Sequence, residues 1–266
     1  MIAKNIKVVP LKKLGQNYLR DTGVLKRIAE TISPAPDDLL LEIGPGTGAL
    51  TSALYGSVKK YIAVELDRRV IEELRTAYPD LHLIEGDFVK INLRELFEQS
   101  GSQKLRVAGN IPYNITSPIV FRLLEEKDII LQATLMVQLE VAQRITAKPG
   151  TRNSGIFGII TQTFCDAAFC FEVSRDCFYP KPEVTSAIIQ LTFDGRNSDI
   201  DFDFYRRMVK AAFSKRRKQL HNSFKGTEFE LSDFSDAPVK MSDRPEQLTI
   251  QDFLNLYHFF RMKKQL

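Results

Sequence analysis

The most constraining stretch of this chain is Leu39-Leu40-Leu41-Glu42-Ile43-Gly44-Pro45-Gly46-Thr47-Gly48, followed by Ala49 to Leu54. A short apolar run ending in glycine reads as a buried strand, and the residues after the last glycine read as a helix. A strand that passes through three closely spaced glycines into a helix permits a sharp turn and close approach of a ligand to the backbone. The same alternation repeats downstream. Tyr61–Glu65, Leu81–Glu85, Leu105–Gly109 and Ala133–Val137 read as strands, and 68–77, 118–126 and 141–146 read as helices. Strands alternating with helices predict a parallel sheet covered on both faces, a Rossmann-like α/β fold. Ser186–Phe193 adds one more strand. Asp194 to Asp199 is a polar breaker, and beyond it 204–213 and 250–260 carry helical spacing only. The expected organisation is an α/β domain over 1–195 and a small helical domain over 196–266.

Composition narrows the classes. With 44% hydrophobic and 26% charged residues the chain is ordinary globular material. No apolar run reaches the roughly 18 residues of a membrane span, and the N-terminus lacks an apolar leader. The expectation is a cytoplasmic protein without a membrane partner. Cys165, Cys170 and Cys177 form no Cys-x-x-Cys pair, which suits reduced thiols, and the three scattered histidines suggest no metal site. Charge is distributed unevenly. The formal net charge is +4, yet residues 1–27 carry +6 and residues 205–225 carry +8, leaving −10 on the rest. Two basic blocks suit a polyanion such as nucleic acid.

The glycine turn is spaced Gly-x-Gly-x-Gly, one residue short of the dinucleotide fingerprint, which disfavours a nicotinamide dehydrogenase. Glu65, 21 residues past Gly44, stands where open α/β sheets place the acid that bonds ribose hydroxyls. Asp87, after Gly86 at the end of the next strand, offers a carboxylate to an adenine amine. Asn110-Ile111-Pro112-Tyr113 follows the fourth strand. Methyl transfer to an exocyclic adenine amine needs acceptors aimed at its hydrogens, because the nitrogen lone pair is delocalised into the ring. The Asn110 side-chain oxygen and a backbone carbonyl of Ile111 or Pro112 can supply two, and Pro112 fixes the chain direction. Tyr113 offers a face on which a displaced base can stack.

With these residues the chain resembles the ribosomal RNA adenine dimethyltransferases, and among them the small-subunit type. The resemblance rests on Leu14 to Leu19, Glu42 to Gly48, Val64 to Asp67, Gly86-Asp87 and Asn110 to Ile115. It continues through Phe178 to Ser186, and through Ala212 to Leu220 with Asn222-Ser223. It implies S-adenosylmethionine as cofactor and two adjacent adenines of small-subunit rRNA as substrate, each dimethylated during assembly of the small ribosomal subunit by a monomeric enzyme. By the same resemblance Asn17, Leu19, Gly44, Gly46, Glu65, Asp87 and Asn110 line the cofactor. Asn110, Pro112 and Tyr113, with Phe178 as a second stacking face, hold the base. Lys215, Arg216, Arg217 and Lys218, read as part of a helix, contact RNA phosphates. One departure is Tyr18, where the family usually has phenylalanine. Two alternatives remain: a large-subunit methyltransferase sharing Asn-x-Pro-Tyr, and a non-catalytic assembly or transcription factor on the same fold.

Overall fold

The computed structural model describes residues 8–11, 15–151, 153–215 and 217–264. Among the described residues the strands, in chain order, are β1 (Tyr18–Leu19), β2 (Leu39–Ile43), β3 (Lys60–Glu65), β4 (His82–Glu85), β5 (Leu105–Asn110), β6 (Ile130–Gln138), β7 (Asp166–Val173), β8 (Phe178–Tyr179) and β9 (Ser186–Thr192). Between and after them run α1 (Thr22–Ile32), α2 (Ala49–Leu54), α3 (Arg68–Ala77), α4 (Leu93–Ser100), α5 (Thr116–Glu125), α6 (Leu139–Ile145), α7 (Ile156–Phe164), α8 (Phe202–Ala212), α9 (Leu220–Phe224) and α10 (Ile250–Lys264).

Seven strands form one sheet in the order β4-β3-β2-β5-β6-β9-β7. The first five are parallel, and β9 runs antiparallel to both β6 and β7. All five residues of β2 are buried, as a central parallel strand covered on both faces requires. One face packs Leu40, Tyr61, Ala63, Ala108 and Met136 against apolar residues of α1, α2 and α3. The order of connection reverses between β2 and β5, the crevice where open α/β sheets bind ligands. A separate antiparallel pair joins β1 to β8, with Tyr18 opposite Tyr179 and Leu19 opposite Phe178.

The chain divides into two compact units, but not at residue 195 alone. Unit 1 holds residues 1–142 and 166–195, and unit 2 holds 143–165 and 196–266. The expected boundary therefore changes: residues 143–165 leave the α/β part. The reason is aromatic packing. Phe164, at the end of α7, meets Phe202 at 5.4 Å and Tyr205 at 5.6 Å between ring centroids. The Thr163 and Tyr205 hydroxyls lie 2.8 Å apart in the same buried cluster. Farther along unit 2, Phe260 packs edge to face with Phe224 and with Phe229, each at 5.1 Å. Among the described residues no helix is long and apolar enough to cross a membrane.

Candidate active site

The ends of β2, β3, β4 and β5 converge on a cavity of about 300 Å³ within unit 1. Its floor is the glycine turn. Gly44 and Gly46 both have positive φ, +63° and +54°. A Cβ built on Gly46 would lie 2.9 Å from the Tyr18 ring, so a side chain there would collide with the segment covering the cavity. Beneath the turn, Glu42 is buried and accepts hydrogen bonds from Thr51 Oγ1 (2.7 Å) and the Tyr61 hydroxyl (2.6 Å). One carboxylate thereby ties the first residues of α2 and the start of β3 to the strand that carries the turn.

Glu65 ends β3 with its carboxylate inside a ring of backbone donors. Oε2 accepts from Gly46 N–H at 2.9 Å, and Oε1 accepts from Leu66 and Asp67 N–H at 2.8 Å each. Burial still pushes its carboxyl above the ordinary carboxylate range, against the pull of those donors. A buried carboxylate of this kind gains from hydroxyl donors supplied by a ligand. Asp87, at the end of the turn after β4, uses Oδ1 to cap Val89 N–H at 3.1 Å. Its Oδ2 is 3.9 Å from Lys90 Nζ. Both acids line the cavity, with Asn17, Leu19, Gly44, Gly46, Asn110, Pro112 and Tyr113.

Asn110 closes β5. Its Nδ2 donates to the Asn17 carbonyl at 2.9 Å, which fixes the amide's orientation and leaves Oδ1 as the acceptor at the cavity. Gly109, just before it, has no room for a Cβ, which would sit 2.9 Å from the Ile43 carbonyl oxygen. The Pro112 carbonyl accepts Ile115 N–H at 3.1 Å in the following turn. The Tyr113 hydroxyl lies 2.6 Å from Ser186 Oγ at the start of β9, which anchors the ring. Burial raises the Tyr113 phenol, so it stays protonated at neutral pH.

Tyr18 was missed as a structural element of the site. Its ring covers Gly46, and its hydroxyl is buried without a hydrogen-bond partner among the described residues. Burial, with the charges of Asp67 and Glu65, pushes this phenol up to about 12.

Two expected groups lie elsewhere. Phe178 does not line the cavity. Its pairing with Leu19 turns the side chain into the core cluster with Val173 and Ile188, while Tyr179 faces outward. In unit 2, Lys215, Arg217 and Lys218 sit in a turn, not a helix, because α8 stops at Ala212 and Arg217 has φ +62°. Lys215 Nζ donates to the Asn222 and Lys225 carbonyls at 2.8 Å each, whereas Arg217 and Lys218 are exposed. Arg216 lies outside the described residues.

The residues present fit S-adenosylmethionine. The glycine turn leaves space where a Cβ would intrude, a buried carboxylate stands ready for ribose hydroxyls, and a second acid lies one strand away. Comparison with known proteins agrees. The sequence pattern of the ribosomal RNA adenine dimethylase family matches residues 11–262. The chain is 42% identical over 258 residues to the ribosomal RNA small subunit methyltransferase A of Chlorobium phaeobacteroides, covering 97% of this chain and 96% of that one. It is 43% identical over 255 residues to the protein of the same description from Chlorobaculum parvum, covering 96% and 90%. Among solved structures it is similar to a dimethyladenosine transferase from Plasmodium falciparum, with TM-score 0.77, 28% identity and coverage of 92% and 98%. It is also similar to the 23S rRNA methyltransferase ErmE, with TM-score 0.67, 27% identity and coverage of 91% and 98%. A match running almost from end to end, over a sheet of the same architecture, means that this chain belongs to the ribosomal RNA adenine dimethylase family of S-adenosylmethionine-dependent methyltransferases.

Proposed function

We propose that this chain dimethylates the exocyclic amines of two adjacent adenines in small-subunit rRNA, as a monomer in the cytoplasm, at the cavity of unit 1. The observation that carries the chemistry is the amide of Asn110, held by the Asn17 carbonyl so that Oδ1 is left for a ligand. The small-subunit substrate is supported by the descriptions of the full-length relatives. The monomer reading is supported by a cavity lined from one unit of one chain, and the cytoplasmic reading by the substrate.

S-adenosylmethionine supplies an electrophilic methyl group carried on a sulfonium. Glu65 would hold its ribose hydroxyls and Asp87 its adenine amine, with Gly44, Gly46, Asn17 and Leu19 forming the walls. Asn110 Oδ1 and the Ile111 carbonyl would each accept one N–H of the target amine. Two acceptors in fixed directions favour a tetrahedral nitrogen and release its lone pair toward the methyl group. Tyr113, anchored at its hydroxyl, would stack on the base and hold it out of its helix. Arg217 and Lys218, with Arg216, would contact phosphates without reading sequence.

The test is incubation with labelled S-adenosylmethionine and unmethylated small subunits, with large-subunit RNA in parallel, followed by nucleoside analysis. The expected product is N6,N6-dimethyladenosine in small-subunit RNA alone. Label in large-subunit RNA would move the chain to the other branch. Absence of label from both RNAs, with the cofactor bound, would leave a non-catalytic role.

A further inference from the structure

Residues 15–19 form a wall of the cavity, and the side chains that fasten this wall at its outer end meet on one carboxylate. Asp67 is buried two residues beyond Glu65 and caps α3, its Oδ1 accepting Arg69 N–H at 3.1 Å. Oδ2 accepts from Gln16 Nε2 at 2.8 Å. The Arg69 guanidinium approaches from the other side, with Nε 2.9 Å from Oδ1 and Nη2 2.6 Å from Oδ2. Both partners then reach farther along the N-terminal segment. Arg69 Nη1 donates to the Val9 carbonyl at 2.9 Å, and Gln16 Oε1 accepts Leu11 N–H at 2.9 Å. Asp67 itself is absent from the cavity lining, so it has no direct route to a ligand there.

We propose that Asp67 is a positioning residue that latches the N-terminal segment over the cavity through Gln16 and Arg69, and so sets how long the cofactor stays bound. This inference rests on the reading of the cavity as the S-adenosylmethionine site. A ligand enclosed by a chain segment leaves when that segment lifts, and lifting this one breaks the bonds to Asp67 together. Removing one of them should raise the lifted population, and with it the dissociation rate, about three- to ten-fold. The carboxyl is held down at about 2, chiefly by the hydrogen bonds from Arg69, so the latch stays charged at every working pH.

The experiment measures association and dissociation of S-adenosylhomocysteine by stopped flow. The proteins are the parental chain, Gln16→Ala, Asp67→Ser and the double variant. Serine keeps a capping oxygen for α3 but is too short to reach Gln16. Gln16→Ala alters a half-buried position of the segment, so the melting temperature of the ligand-free protein should hardly move. Expected is a three- to ten-fold faster dissociation in Gln16→Ala and an effect at least as large in Asp67→Ser, which loses the Arg69 bonds as well. The double variant should fall short of the product of the two single effects, because both variants break the same Gln16–Asp67 bond while Gln16→Ala alone also frees Leu11 N–H. Parental dissociation in Gln16→Ala would overturn the latch, as would a double variant in which the two effects multiply. Either result leaves the cofactor site standing. A parental chain that fails to bind S-adenosylhomocysteine would instead remove the cofactor reading, and the latch with it.

Discussion

Glu42 offers a test of how the glycine turn is supported. Its carboxylate is buried under the turn with two hydroxyl donors on one oxygen. Desolvation outweighs those donors, and the charge of Glu65 adds to it, so the carboxyl is pushed up to about 7 from an ordinary 4.5. In the unfolded chain Glu42 ionises near 4.5. Between 4.5 and 7 the folded protein therefore keeps a proton that the unfolded chain has released. The stabilisation this gives is complete below 4.5, falls as pH rises through the window, and is gone above 7. At about 1.4 kcal/mol per pH unit the window amounts to roughly 3 kcal/mol. Glu42→Gln abolishes the titration while keeping an acceptor for Thr51 and Tyr61. The assay is urea unfolding of the cofactor-free protein at intervals from pH 4.5 to 8. Parental stability should fall by about 3 kcal/mol relative to the variant across that range. Glu65, whose carboxyl is also raised by burial, is present in both proteins, so the part of its titration set by its own burial cancels in the comparison. A difference that stays constant with pH would refute the argument, because it would mean that the folded protein ionises Glu42 as easily as the unfolded chain does.

Other perturbations address the site directly. Asn110→Ala should lower turnover by about 100-fold or more, as loss of one oriented transition-state partner does, while calorimetry still detects cofactor binding. Glu65→Gln keeps one acceptor oxygen but removes the charge and the second acceptor, and should weaken S-adenosylmethionine by at least roughly 1.5 kcal/mol in the same calorimetric titration. Arg217→Ala with Lys218→Ala should reduce the salt dependence of RNA binding by about 0.7–0.9 in log–log slope per lost contact, with cofactor affinity unchanged. Phe178→Ala should cost about 3–5 kcal/mol of stability in urea unfolding, because the ring is buried in the core cluster. A fall in turnover at full stability would instead make that ring a stacking face.

The centre of the sheet was legible because its inner parallel strands are short runs that must be buried on both faces. Leu39 to Ile43 is apolar at every position but Glu42, and that pattern needs no knowledge of its neighbours. Strand β7 was not legible. It is an edge strand with a register shift between Phe169 and Phe171, so its apolar residues follow no single period. Nor does the antiparallel direction of β9 appear in its own residues, since direction is decided by the strands on either side. The transfer of residues 143–165 to unit 2 depends on Phe164 meeting Phe202 and Tyr205, partners about forty residues away. The basic block illustrates the reverse error. The sequence reads it as part of a helix, but the chain leaves the helix after Ala212 and passes through a left-handed residue at Arg217.

At the site, the legible residues are those whose position follows from a strand end. Glu65, Asp87 and Asn110 close or follow β3, β4 and β5, and with the glycine turn after β2 they face one crevice because the strand order reverses there. Residues that act across the fold gave no such signal. Gln16 and Asp67 are 51 positions apart, and neither belongs to a spacing that would pair them. Phe178 shows the limit of the motif itself. The run from Phe178 to Ser186 marks a segment that stands beside the cavity, but in a two-residue strand one side chain must point inward and the next outward. Pairing Leu19 with Phe178 decides which, burying the phenylalanine and exposing Tyr179, whose ring carries the Arg20 guanidinium at 4.1 Å. The motif therefore locates the wall of the site, and the register of β1 on β8 determines which aromatic supports it from behind.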